Sequence, residues 1–166
     1  MQIEIERKFL IAMPSEAVKT KCEPIYEILQ TYLAVKGKSA RVRKRTCAGK
    51  TTYIYTEKKR IDAMCCEETE REVDRAEYEA LLQQADPTCR PIYKTRYIYK
   101  YEGQAFEIDV YPFWDRQAVM EIELERADSK VIFPPDITVL AEVTTDGAYK
   151  NHALSRHIPL QLEEIQ

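Results

Sequence analysis

Charge recurs at every second position in segment after segment of this chain, and this pattern constrains its fold more than any other feature. Residues i and i+2 share a face of a β-strand. Between Ile3 and Ile11, Glu4, Glu6 and Lys8 fall on one side and Ile3, Ile5, Arg7 and Phe9 on the other. The same spacing sets Arg41, Arg43 and Arg45 on one face of 39–46, Thr56 and Lys58 on one face of 51–59, and Glu70 and Glu72 on one face of 66–73. It continues with Lys94 and Arg96 in 92–101, Glu107 and Asp109 in 104–111, and Glu121, Glu123 and Glu125 in 118–126. The opposite faces carry Val42, Tyr55, Val73, Tyr97, Tyr99, Ile108, Val110, Ile122 and Leu124. Segments 25–35 and 137–143 complete the series of strand signals, and hairpins are expected across Gly37, Gly49 and Gly103. Helical signals are fewer. Asp74 followed by Glu77 reads as a capping box opening a helix through Gln84, and 148–156 and 14–21 are shorter candidates. With no linker or repeat, residues 1–166 read as one α+β domain, mainly antiparallel β.

A charged strand face ordinarily meets water, as in any antiparallel sheet with one solvated side. The sorting of sign argues for more. Acids neighbour acids and bases neighbour bases within each strand, and a solvated sheet gains nothing from three arginines in a row. Closing the sheet would gather these faces around an interior cavity. An outer-membrane pore does not fit, because its outside must be a continuous apolar band and Arg7 interrupts it. A lumen of segregated charge suits a ligand of mixed chemistry. Arginine and lysine match phosphate oxygens, and clustered carboxylates match a hard divalent cation, Mg²⁺ or Mn²⁺. Together they describe a metal-bound polyphosphate.

Composition removes several rivals. The net charge is −3, which argues against a general nucleic-acid binder. The acids near the N-terminus do not resemble a signal or transit peptide, and no apolar run is long enough for a membrane helix, so a cytoplasmic protein is expected. Five cysteines without a C-x-x-C pair predict free thiols. The two histidines, His152 and His157, read as surface residues, and Trp114 reads as packing. The four glycines build no phosphate-cradling loop, so any phosphate must be held by side chains.

These residues resemble the CYTH superfamily, the triphosphate tunnel metalloenzymes. Glu4-Ile5-Glu6-Arg7-Lys8 is similar to its E-x-E-x-K signature. In the family's order follow Gln30-Thr31-Tyr32-Leu33, Arg41-Val42-Arg43, Thr56-Glu57-Lys58, Glu70-Arg71-Glu72 and Lys94-Thr95-Arg96-Tyr97. Glu107-Ile108-Asp109-Val110, Glu121-Ile122-Glu123, and Glu142-Val143-Thr144-Thr145-Asp146 with Tyr149-Lys150-Asn151 complete the likeness, which is greatest to small stand-alone bacterial members.

The resemblance implies a closed eight-stranded β-barrel, a triphosphate tunnel, with flanking helices. It implies Mg²⁺ or Mn²⁺ held by Glu4, Glu6, Glu121 and Glu123, with Asp109 a further ligand. Lys8, Arg41, Arg43, Lys58, Lys94, Arg96 and Lys150 would hold the substrate, and Glu4, Glu6, Lys8, Tyr32 and Lys94 are the catalytic candidates. Glu70, Glu72 and Glu107 would either bind metal or pair with lumen bases, and Arg45 would lie outside the tunnel where strand ends splay. The activity implied is metal-dependent hydrolysis of a small-molecule triphosphate, foremost inorganic tripolyphosphate, by a monomer or homodimer without nucleic-acid or membrane partners. Alternatives are an adenylate cyclase, a thiamine or nucleoside triphosphatase, and a non-catalytic polyphosphate-binding module.

Overall fold

The computed structural model describes residues 2–162. Among the described residues there are nine strands: β1 (Gln2–Ala12), β2 (Ile25–Leu33), β3 (Ser39–Cys47), β4 (Lys50–Arg60), β5 (Cys65–Val73), β6 (Ile92–Tyr101), β7 (Gln104–Val110), β8 (Gln117–Glu123) and β9 (Val139–Glu142). Three short helices accompany them: α1 (Glu16–Lys21), α2 (Arg75–Leu82) and α3 (Asn151–Leu154). No helix among the described residues is long and apolar enough to cross a membrane.

All pairings are antiparallel, in the order β5-β4-β3-β2-β6-β7-β8-β1, and β1 returns to β5 through Gln2–Ile5 to close the ring. The expected eight-stranded barrel is therefore present. The ninth strand stands outside it, on the edge of β1 that β5 leaves free beyond Ile5. Arg7 faces outward and grips Glu142 of β9 with Nε at 3.0 Å and Nη2 at 2.7 Å, so the charge that interrupts the apolar outer face has its own partner. The β3–β4 and β6–β7 turns each have two residues at positive φ, Ala48-Gly49 and Glu102-Gly103. That is the backbone of the tight hairpin turn whose twist matches the strands.

The outward faces are covered in patches. Phe9, Ile11, Phe106, Ile108, Met120 and Ile122 pack with Val18 of α1 and with Ile137 from the crossing to β9. Val42 and Val73 pack beneath Tyr78 of α2. Helix α2 begins as the capping box predicts, with Asp74 Oδ1 accepting from the Glu77 amide at 2.8 Å. The segment 148–156, expected as one helix, is a 3-10 turn at Gly147–Tyr149 followed by α3, because extended backbone at Lys150 divides the two.

The lumen is polar along most of its length and apolar at one end. On β1 the inward series runs Glu4, Glu6, Lys8 and then Leu10. Leu10 packs with Ile92, Tyr111 and Val119 against Trp114, Tyr149 and Leu154. The C-terminal segment therefore stoppers that end of the barrel, and the interior is a cup.

Candidate active site

Register decides which charges meet. Antiparallel residues directly across from each other share a face. Glu6 sits opposite Glu123 and Lys8 opposite Glu121 across β1–β8, and Glu107 sits opposite Glu121 across β7–β8. On the other side of the ring, Tyr32 sits opposite Arg41, and Gln30 opposite Arg43. The result is a cavity of ≈ 520 Å³ with carboxylates on the β1–β8–β7 wall and guanidinium groups on the β2–β3 wall.

Most of the expected site residues line this cavity: Glu4, Glu6, Lys8, Tyr32, Arg41, Arg43, Lys58, Arg96, Glu121, Glu123 and Lys150. Glu70 and Glu107 line it too, and they pair with bases. Glu70 accepts from Arg43 at 3.1 Å and from Thr56 at 3.2 Å, and Glu107 lies 2.6 Å from Arg96. Glu72 is exposed and outside the lining, because β5 has left the cavity by that position.

Several residues stand elsewhere than the sequence pattern places them. Asp109, proposed as a metal ligand, does not reach the cavity. Its Oδ2 accepts from Lys94 Nζ at 2.8 Å, and Arg96 donates to Oδ1 at 2.7 Å and to Oδ2 at 2.9 Å. Lys94, expected on the substrate, lies with it beneath the cavity floor, and the two side chains are each only 1% exposed. The Lys94 ammonium also reaches Asn151 Oδ1 at 3.5 Å, an atom that accepts from Tyr111 Oη at 2.6 Å. Arg45 lines the cavity instead of splaying away, with its guanidinium 4.9 Å from the ring centre of Tyr26. His152 is no surface residue: it lines the cavity and stacks on Tyr32 with ring centres 4.6 Å apart.

Glu68 was not singled out by the sequence reading and belongs to the lining. Its signal was available, since it lies two residues before Glu70 on the same face. Lys58 bridges it to Glu4, lying 3.5 Å from Glu68 and 3.3 Å from Glu4.

The two walls carry opposite electrostatic stress. The Glu121 carboxylate and burial push Glu6 up to about 8. Burial and a hydrogen bond to Glu4 push Glu68 up to about 8, and Glu68 Oε2 has no hydrogen-bond partner. Glu121 itself is held down, its burial outweighed by Lys8, Arg96 and Lys94. On the basic wall, burial with Arg41 and Arg96 nearby pushes Arg43 down to about 9. The Nε donors of Arg41 and Arg43 are buried and have no acceptor among the described residues. A buried donor without an acceptor costs about 1–3 kcal/mol. Like charges opposed across a ladder also destabilise it.

A closed antiparallel barrel whose lumen sorts carboxylates from guanidinium groups presents one enclosed cavity of mixed charge. The family model for the CYTH domain matches residues 2–139, and the chain belongs to that family. It is 33% identical over 158 residues to the inorganic triphosphatase of Nitrosomonas europaea, covering 94% of this chain and 99% of that one. The solved structure of the inorganic triphosphatase NE1496 superposes with a TM-score of 0.59 at 33% identity, covering 96% of this chain and 98% of that one. The PH1819 protein from Pyrococcus horikoshii shares the fold at a TM-score of 0.56 and 20% identity, over 75% of this chain and 80% of that one.

Proposed function

We propose that this protein is a divalent-metal-dependent inorganic triphosphatase that cleaves tripolyphosphate to pyrophosphate and orthophosphate. The observation that carries this reading is the division of one enclosed cavity into an acidic and a basic wall. The similarity to the N. europaea inorganic triphosphatase supports the substrate class. The residues fit a hard cation. Glu4, Glu6, Glu121 and Glu123 offer oxygen ligands only, and the Glu121 charge still pushes Glu6 up despite Lys8 and Lys58 nearby. These four would hold Mg²⁺ or Mn²⁺. Bound there, the metal would supply Lewis-acid neutralisation of phosphate charge and an activated water.

The chain's own groups do the rest. Arg41 and Arg43 line the cavity and would offer guanidinium donors to phosphate oxygens, and Lys58 and Arg96 extend the cationic track to either side. Lys8 Nζ donates to the Tyr149 carbonyl at 3.2 Å and lies 3.4 Å from Glu121, so it stands on the acidic wall beside the segment that closes the barrel. There it would stabilise charge developing on the transferred phosphoryl group. The buried Lys94–Asp109–Arg96 cluster positions Arg96 from below. Tyr32 Oη accepts from Gln30 Nε2 at 2.7 Å, which leaves its proton free to donate into the cavity.

Phosphate release should be measured from tripolyphosphate, ATP and thiamine triphosphate with Mg²⁺ or Mn²⁺. Tripolyphosphate is expected to turn over fastest, and a chelator should abolish the reaction. Equal or faster ATP turnover would refute the ranking, cAMP formation would make the protein a cyclase, and binding without turnover would make it a polyphosphate-binding module. Arg43→Lys keeps the charge and loses the planar fork. A lost charge-assisted hydrogen bond of about 1.5 kcal/mol should raise KM for tripolyphosphate roughly tenfold. An unchanged KM in steady-state kinetics would remove Arg43 from the phosphate track.

A further inference from the structure

A second group of metal-ligating side chains converges where α3 meets the loop between α2 and β6. Asp86, Cys89 and His152 present a carboxylate oxygen, a thiol sulfur and a ring nitrogen, all within 4.8 Å of one another. We propose that this triad is a binding site for a borderline-soft divalent ion of the Zn²⁺ class, distinct from the carboxylate wall of the cavity.

The donor set selects the ion. One sulfur, one imidazole nitrogen and one carboxylate oxygen suit Zn²⁺ and disfavour Mg²⁺, which prefers oxygen alone. Three protein ligands leave a fourth tetrahedral position to solvent. Ligand atoms around such an ion stand roughly 3.3–3.8 Å apart at bond lengths of about 2.0–2.3 Å. Side-chain rotations closing the triad by about 1 Å would therefore seat it.

The surroundings aim the ligands. Asp86 Oδ1 accepts from the Thr88 amide at 2.9 Å and from Thr88 Oγ1 at 2.7 Å, which turns Oδ2 toward the triad. The His152 ring is held flat against Tyr32, with an interplanar angle of 15°, and neither ring nitrogen has a hydrogen-bond partner among the described residues. Backbone bonds tie the pieces together: Asp86 N donates to the Tyr32 carbonyl at 2.9 Å, and Arg90 N to the Ser155 carbonyl at 2.7 Å.

A cation already stands at the triad. Arg156 Nε donates to Cys89 Sγ at 3.4 Å, and its Nη2 to Asp86 Oδ2 at 3.3 Å. The Arg156 side chain is 51% exposed and can turn out to solvent. It acts as a built-in competitor that a metal displaces. Once bound, the metal would fix His152 against Tyr32 on the cavity wall.

Cobalt titration in excess Mg²⁺ tests the site without reference to catalysis. A thiolate-to-cobalt charge-transfer band should appear and saturate at one equivalent, and Zn²⁺ should displace it. Cys89→Ser should abolish the band, while Cys66→Ser, in the cavity, should leave it intact. Arg156→Ala should tighten Zn²⁺ binding roughly tenfold, within the range by which groups beside a metal site tune affinity. Loss of folding cannot produce that gain. Failure of the ion to bind, a band that survives Cys89→Ser or disappears with Cys66→Ser, or weaker binding by Arg156→Ala would each overturn the proposal.

Discussion

Glu6→Gln should abolish tripolyphosphate hydrolysis while making the metal-free protein more resistant to heat. The two effects share a cause. Glu6 faces Glu121 and Glu123 across the β1–β8 ladder, and its pKa is pushed up to about 8, first by Glu121 and then by burial. The unfolded chain ionises this group near 4.5. Between these values the native state holds more protons than the unfolded one, so its stability falls as pH rises through that window. Glutamine keeps the shape and removes the charge, so that fall should vanish. At pH 8, with chelator present, Glu6→Gln should melt at least about 2 °C above the parent protein, equivalent to roughly 1 kcal/mol at this size. Activity should drop at least about 100-fold, the upper end of the loss seen when only an outer-shell partner of a ligand is removed. Added Mg²⁺ should raise the melting temperature of the parent, since a ligand bound only by the native state stabilises it, and should do little for the variant. Wild-type turnover by Glu6→Gln, or an unaltered Mg²⁺ shift, would take Glu6 out of the metal site.

The barrel was legible because one rule, side chains alternating across a strand, applies to every segment. Eight charged or aromatic strands with matched parity leave few alternatives to closure. What the alternation could not reveal was depth. Glu107 and Asp109 share a face two residues apart, yet one lines the cavity and the other lies beneath its floor. The difference arises where the C-terminal segment packs: Tyr149, Leu154 and Asn151 stopper the lumen at the level of Leu10 and Tyr111. A strand pattern does not say which distant segment closes its end. His152 was misread for the same reason, since its stacking on Tyr32 links positions 120 residues apart in sequence. Glu68 was a different case. Its spacing from Glu70 was visible, and the pairings that set it opposite Lys58 and Gln2 bring it into the ring of charges.

Depth also separates two roles for carboxylates that look alike in sequence, and Asp109→Asn should expose the difference. Asp109 accepts three hydrogen bonds from Lys94 and Arg96 in a fully buried setting. Despite the burial penalty, the two cations hold its pKa far below the ordinary carboxylate value. Its contribution to stability is therefore present at neutral pH and lost only in strong acid. Asparagine would leave Lys94 and Arg96 buried side by side without the carboxylate they share, with Glu107 still paired to Arg96 alone. Breaking a buried ion cluster from one side costs about 3–5 kcal/mol, which at this size should lower the melting temperature by roughly 10 °C. Burial already pushes Lys94 down to about 8, with Asp109 opposing the shift, so in the variant Lys94 should lose its proton near neutral pH. Arg96 would then be held by Glu107 alone, and turnover should fall through misplacement of that guanidinium. The decisive contrast with Glu6→Gln lies in the metal. The stabilisation by Mg²⁺ should persist in Asp109→Asn, measured as the rise in melting temperature on adding the ion, because a residue under the cavity floor supports the basic wall and does not touch the cation. Loss of that rise with the fold intact by circular dichroism would return Asp109 to the ligand set and require the floor to open when metal binds.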